Sequence, residues 1–282
     1  MMRWPIIVLL AVAGFAAGVF VEREWLSISD PDLLPWSPPR PRPKQRVWSQ
    51  VEAKPHGDSV ACPETATIVV VAGQSNAANT VGQRSRAAEN VFWRFEGRCY
   101  PAIDPMPGSE GGFGSVWPRV GDELIRSGVS RAVVFVGAAM GGTSISQWAD
   151  ASGLGSYLHE RLVNEPRIDF VLWHQGEADA LAGTASTTYK NDLLAVVATI
   201  RERLKTTPIY ISIASRCGRV KPDPEIRRAQ SEVIQVEAGI LAGPDTDTLD
   251  HCYRYDGCHF SELGLERVSG LWDVRLSAPA NR

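Results

Sequence analysis

A chain of 282 residues with 29 basic and 32 acidic side chains carries a formal net charge of -3 at neutral pH. That balance excludes the basic excess of a nucleic-acid binder, and 44% hydrophobic residues exclude a disordered chain. Its five cysteines form no C-x-x-C pair, so they suggest neither zinc nor a redox site.

In chain order the first element is apolar. Residues 4–21 contain no charged side chain, Arg3 precedes them, and Glu22, Arg23 and Glu24 follow. The run approaches the ~20 residues that cross a bilayer as a helix, and Arg3 favours leaving the C-terminal side outside. Ala11-Val12-Ala13 also offers a small-x-small cleavage site. Residues 1–26 are therefore expected to be a membrane anchor or a signal peptide, with the remainder exported, periplasmic or extracellular. Residues 27–60 contain Pro31, Pro35, Pro38, Pro39, Pro41 and Pro43 and read as a linker. Residues 61–282 remain as one domain of roughly 220 residues, enough for a sizeable core.

Within that domain, residues 67–72, 131–136, 170–173 and 209–213 are short apolar runs that read as strands. Continuous rather than alternating runs fit a parallel sheet covered on both faces. Helical patterns span residues 116–127, 188–204, 225–238 and 261–276, the last with Ser261 as N-cap. The alternation predicts an open α/β sheet with right-handed crossovers and a ligand site beyond the carboxyl ends of the strands.

Four segments carry candidate chemistry. In Val71-Ala-Gly-Gln-Ser-Asn76, Ser75 stands just past the glycine ending the first strand, where its hydroxyl can project and its N–H can face an oxyanion. Its alternative role is to cap the following helix. In Asp256-Gly-Cys-His259, the imidazole of His259 can take a serine proton while Asp256 fixes its tautomer. The alternative is a surface loop with an incidental histidine. Gly141-Gly-Thr-Ser144 follows the second strand, and paired glycines let backbone N–H groups approach a ligand, or simply make a tight turn. Trp173-His-Gln-Gly-Glu177 follows the third strand, and Gln175 can aim its amide at the oxyanion. Glu177 and Asp179 either orient neighbours or are solvated. A Cys252–Cys258 bridge would stiffen the loop of His259, and Cys62–Cys99 is the expected second bridge, leaving one cysteine unpaired.

These four motifs, in this order, resemble those of the SGNH (GDSL-type) hydrolase superfamily. The narrower likeness is to the branch of sialate O-acetylesterases and acetylxylan esterases, carbohydrate esterase family six. The resemblance implies a three-layer, flavodoxin-like fold with a mainly parallel sheet and no metal or cofactor. It implies Ser75 as nucleophile, His259 as base, Asp256 as acid, and an oxyanion hole from the Ser75 and Gly141 N–H groups, with Gly142 the alternative to Gly141. The superfamily's asparagine is missing from the third motif, and Gln175 is its stand-in. The implied substrate is an acetylated saccharide.

Three other readings use the same residues differently. An exported O-acetyltransferase would pass the acetyl group to a sugar hydroxyl instead of water. A lipase or thioesterase would need a long apolar groove, which no exposed apolar stretch of the domain suggests. A non-catalytic carbohydrate-binding protein would stack sugars on Trp93, Trp117, Trp148 or Trp173.

Overall fold

The structure, a computed structural model, describes residues 52–218 and 221–278. The expected anchor or signal helix and most of the linker lie outside them. Among the described residues, no helix is long and apolar enough to cross a membrane. The end of the expected linker packs on the domain: the Ala53 and Val60 N–H groups donate to the Ser109 and Cys99 carbonyls at 2.8 Å each.

Seven strands form one sheet: β1 Thr67–Gly73, β2 Val91–Phe95, β3 Arg98–Pro101, β4 Val133–Ala139, β5 Phe170–His174, β6 Ile209–Ile213 and β7 Ile240–Asp245. Their order is β3-β2-β4-β1-β5-β6-β7, and every neighbouring pair is parallel except the β2–β3 hairpin. The mainly parallel α/β sheet expected from the apolar runs is therefore present. Hairpin β2–β3 and strand β7 were not legible. Arg94 and the alternating burial of β2 break the continuous pattern, and β7 contains Gly243 and Pro244, which an edge strand tolerates.

The helices are α1 Trp117–Arg126, α2 Ile145–Ala149, α3 Leu154–Val163, α4 Glu177–Ala182, α5 Ser186–Arg203, α6 Pro224–Val236 and α7 Glu262–Ser277. Successive strand residues point to opposite faces, so each strand feeds two cores. Val70, Ala72, Val134 and Val171 pack with Leu158, Val196 and Val233 of α3, α5 and α6. Val69, Val71, Phe135 and Leu172 pack with Val120, Val268 and Trp272 of α1 and α7. Helices thus cover both faces. Ser261 caps α7 as expected, its hydroxyl accepting the Gly264 N–H at 3.2 Å.

The four tryptophans considered as sugar platforms belong to these cores. Trp93, Trp117, Trp148 and Trp173 are each no more than 1% exposed, so none presents a ring to a ligand.

Candidate active site

The register of the central strands decides what meets at the sheet edge. Gly73, the last residue of β1, pairs with Ala139 of β4 and His174 of β5. The segments that begin at Gln74, Met140 and Gln175 therefore leave the sheet side by side. This is the place where connections from β1 and β4 diverge to opposite sides, the crevice where α/β sheets hold ligands. Gly73 has φ +130°, and a β-carbon there would collide with the His174 carbonyl, so only glycine lets the strands close up. Ser75 follows on a single 3-10 turn, Ser75–Ala77, rather than on an α-helix. Its carbonyl is held by the Thr80 hydroxyl at 2.6 Å.

The loop before α7 carries the histidine. The Asp256 carboxylate lies 2.6 Å from His259 Nδ1, and its other oxygen accepts the Cys258 and His259 N–H groups at 2.8 and 2.7 Å. Partial burial pushes the Asp256 carboxyl up. The hydrogen bonds from the His259 amide and imidazole and the Cys258 amide outweigh it, so the carboxyl lies below its ordinary value. A carboxylate so held fixes the imidazole with Nε2 available for a proton.

Several contacts fasten this loop to the Ser75 turn. Asn76, next to Ser75, donates through Nδ2 to the Cys258 carbonyl at 3.1 Å and to Glu177 Oε1 at 2.7 Å. The Tyr255 hydroxyl donates to the Thr80 carbonyl at 2.9 Å, and its ring stacks on the His259 imidazole at 5.9 Å. Buried Arg254 donates to the Leu249, Thr246 and Cys258 carbonyls. The Cys217–Cys258 disulfide ties the residue before His259 to the loop after β6.

Below the turn lies a buried carboxylate–imidazole contact. Glu177 is 1% exposed and its Oε1 lies 3.4 Å from His174 Nε2. Burial pushes the Glu177 carboxyl up, but the hydrogen bond and charge of His174, with Asn76, outweigh it and hold it down to about 2. Asp179, also 1% exposed, accepts the Ile145 N–H at 2.8 Å and so anchors α2. Both acids orient neighbours; neither is solvated.

Beside Ser75, the Gly141 N–H donates to Glu110 Oε2 at 2.7 Å. A β-carbon built on Gly141 would lie 3.7 Å from that of Ser75, so Gly141 stands beside the serine. Gly142 adopts φ +67° in open space.

A family model described as carbohydrate esterase, sialic acid-specific acetylesterase, matches residues 65–268. The chain belongs to that acetylesterase family. A probable carbohydrate esterase of Arabidopsis thaliana is 32% identical over 125 residues, which span 39% of this chain and 45% of that relative. Among solved structures, an Arabidopsis thaliana protein aligns over 76% of this chain and 98% of its own, with 18% identity and a TM-score of 0.59. The crystal structure of NanS aligns over 77% and 96%, with 17% identity and a TM-score of 0.51. At those identities the structural likeness is one of fold.

In this acetylesterase-family chain two expectations meet a different arrangement. Gln175 is fully buried, and its amide nitrogen is directed at Thr143 O, Gln74 Oε1 and Asp179 Oδ2 at 3.1, 3.2 and 2.5 Å. Its carbonyl oxygen accepts the Tyr189 hydroxyl at 3.0 Å. With both amide hydrogens engaged inside the protein, Gln175 braces the three motif loops and is not aimed at an oxyanion. Among the cysteines, Cys62–Cys99 forms as expected, but Cys258 bonds Cys217 and leaves Cys252 free and exposed. The strand end of β6 brings Cys217 to the loop from a distance of 41 residues, which local spacing does not reveal.

Sequence reasoning missed Glu110, Asn76 and Tyr255. Only Asn76 had a signal, its place beside the serine. Asp250, His251 and Cys252 could together approach a metal ion, but they are three successive exposed side chains on one turn.

Proposed function

We propose that this chain is a serine esterase that removes O-acetyl groups from carbohydrates, with Ser75 as nucleophile, His259 as general base and Asp256 as its partner. The observation that carries the reading is the 2.6 Å Asp256–His259 bond, on a loop fastened to the Ser75 turn, in a chain of an acetylesterase family.

Held through Nδ1, the imidazole takes the Ser75 proton on Nε2 as Oγ attacks the acetyl carbonyl. The carbonyl electron pair moves onto oxygen, and the Ser75 and Gly141 N–H groups are the donors that receive it. Glu110 gives up the Gly141 N–H as that charge forms. Collapse of the tetrahedral intermediate expels the sugar oxygen, which takes the proton from His259 and leaves acetyl-Ser75. Water then loses a proton to His259 and attacks the acetyl carbon. Acetate leaves as the proton returns to Ser75. Asp256, ionised throughout, stabilises the imidazolium in both halves.

Two disulfides support an exported domain, and residues 1–26 are its signal or membrane tether in this reading. The test is acetate release from acetylated xylan and p-nitrophenyl acetate by the wild-type protein and Ser75→Ala. The variant is expected to lose turnover, and equal activity would overturn the mechanism. Serine-dependent acetylation of an added acceptor sugar, without acetate release, would instead make the chain a transferase.

A further inference from the structure

An esterase for sugars must recognise a ring as well as an acetyl group, and pyranose rings present C–H faces that stack on aromatic side chains. Among the described residues only two aromatic side chains are largely exposed, Phe113 at 62% and Tyr255 at 55%. The other large exposed apolar side chains are aliphatic. Scattered single apolar residues need no explanation on a protein surface. These two are not scattered, because both are bound to adjacent residues of the nucleophile segment. The Phe113 N–H donates to the Asn79 carbonyl at 3.2 Å, and the Tyr255 hydroxyl donates to the Thr80 carbonyl at 2.9 Å.

Both rings are also carried on fixed backbone. Gly114 and Val81 exchange two hydrogen bonds of 2.9 Å each, directly after Phe113. A β-carbon at Gly114 would collide with the Gln83 carbonyl, so the two segments run too close for any other residue. Tyr255 is held at its N–H by the His259 carbonyl at 3.0 Å and by its ring on the imidazole. Rigid, exposed aromatics lose little conformational entropy when a ligand covers them. Among the described residues, no aromatic contact is made by the ring of this exposed phenylalanine.

We propose that Phe113 and Tyr255 form the platform on which the pyranose ring of an acetylated saccharide stacks, flanking the segment that follows Ser75. The assignment rests on the esterase reading and names its substrate as a pyranoside ester, bound by its ring. Tyr255 supplies a face continuous with His259. Tyr255 is also a positioning residue, since its hydroxyl ties the base loop to Thr80.

The test uses the full chain with a peracetylated methyl xylopyranoside and with ethyl acetate, which has no ring. Phe113→Ala is expected to lower the preference for the pyranoside over ethyl acetate about tenfold, through KM and not kcat. Phe113→Trp should restore it. Tyr255→Phe, which keeps the ring and loses the hydroxyl, should retain the preference, whereas Tyr255→Leu should not. Binding of the same pyranoside to the Ser75→Ala protein, followed by calorimetry, should weaken about tenfold on adding Phe113→Ala. An unchanged preference together with unchanged binding would overturn the platform and leave the esterase intact. Absence of serine-dependent turnover on both esters would overturn the esterase reading, with the calorimetry still deciding the platform.

Discussion

The Gly141 N–H is bonded to the Glu110 carboxylate at 2.7 Å, and Gly141 itself stands beside Ser75. In the proposed mechanism this donor receives an oxyanion, so a carboxylate held on it competes, anion against anion. A neutral acceptor holds an N–H about half as strongly as an ionised one. Glu110→Gln should therefore release the amide more readily and raise kcat/KM for an acetyl ester about fivefold. Steady-state kinetics near neutral pH would show it. A loss of tenfold or more would mean that the Glu110 carboxylate supports turnover.

The Asp256 carboxylate accepts the His259 imidazole and two backbone N–H groups. Asp256→Asn keeps the size and can keep a backbone acceptor, but its amide nitrogen cannot hold Nδ1–H. The wrong tautomer then faces the serine. By analogy with serine triads generally, kcat should fall about 10³–10⁴-fold with little change in KM. A circular dichroism spectrum matching wild type would separate this from misfolding. A fall of less than tenfold would move the acid role to another carboxylate.

The parts that were legible are local. Residues 67–71 form one uninterrupted β-branched run, and Asp256 and His259 lie three positions apart on one loop. What stayed hidden depends on residues far apart in sequence. Gln175 looks like a donor from its position after β5, yet Gln74, Thr143, Asp179 and Tyr189 enclose it. Glu110 meets Gly141 across 31 residues, through a turn whose composition marks only a turn. Cys252 is nearer in sequence to Cys258 than Cys217 is, but the end of β6 delivers Cys217 to the loop.

The Cys217–Cys258 bridge closes a separation of 41 residues and stands immediately before His259. Closing a loop of that size contributes about 4 kcal/mol in the chain-entropy view. The double variant Cys217→Ala, Cys258→Ala should lower the thermal midpoint accordingly. It should also reduce kcat, because the Cys258 carbonyl receives Asn76 and Arg254. Differential scanning calorimetry and kinetics below the new midpoint would measure the two effects separately. Unchanged kcat would show that Asn76, Arg254 and Tyr255 hold the loop without the bridge.

Glu177 gives a prediction whose sign follows from its burial beside His174. Its carboxyl is held down to about 2 against an ordinary 4.5. Between those values the unfolded chain binds a proton there that the folded protein does not, so stability falls as pH falls. The contribution, on the order of 3 kcal/mol, is fully present above about pH 4.5 and is lost as pH drops toward 2. Glu177→Gln removes this titration. The variant should be less stable than wild type at pH 6, because Asn76 and His174 lose their ionised partner. Its stability should then decline less steeply between pH 4.5 and 2.5. Urea unfolding across that range would measure both slopes. Parallel slopes would mean that Glu177 titrates in the folded protein as an ordinary carboxyl.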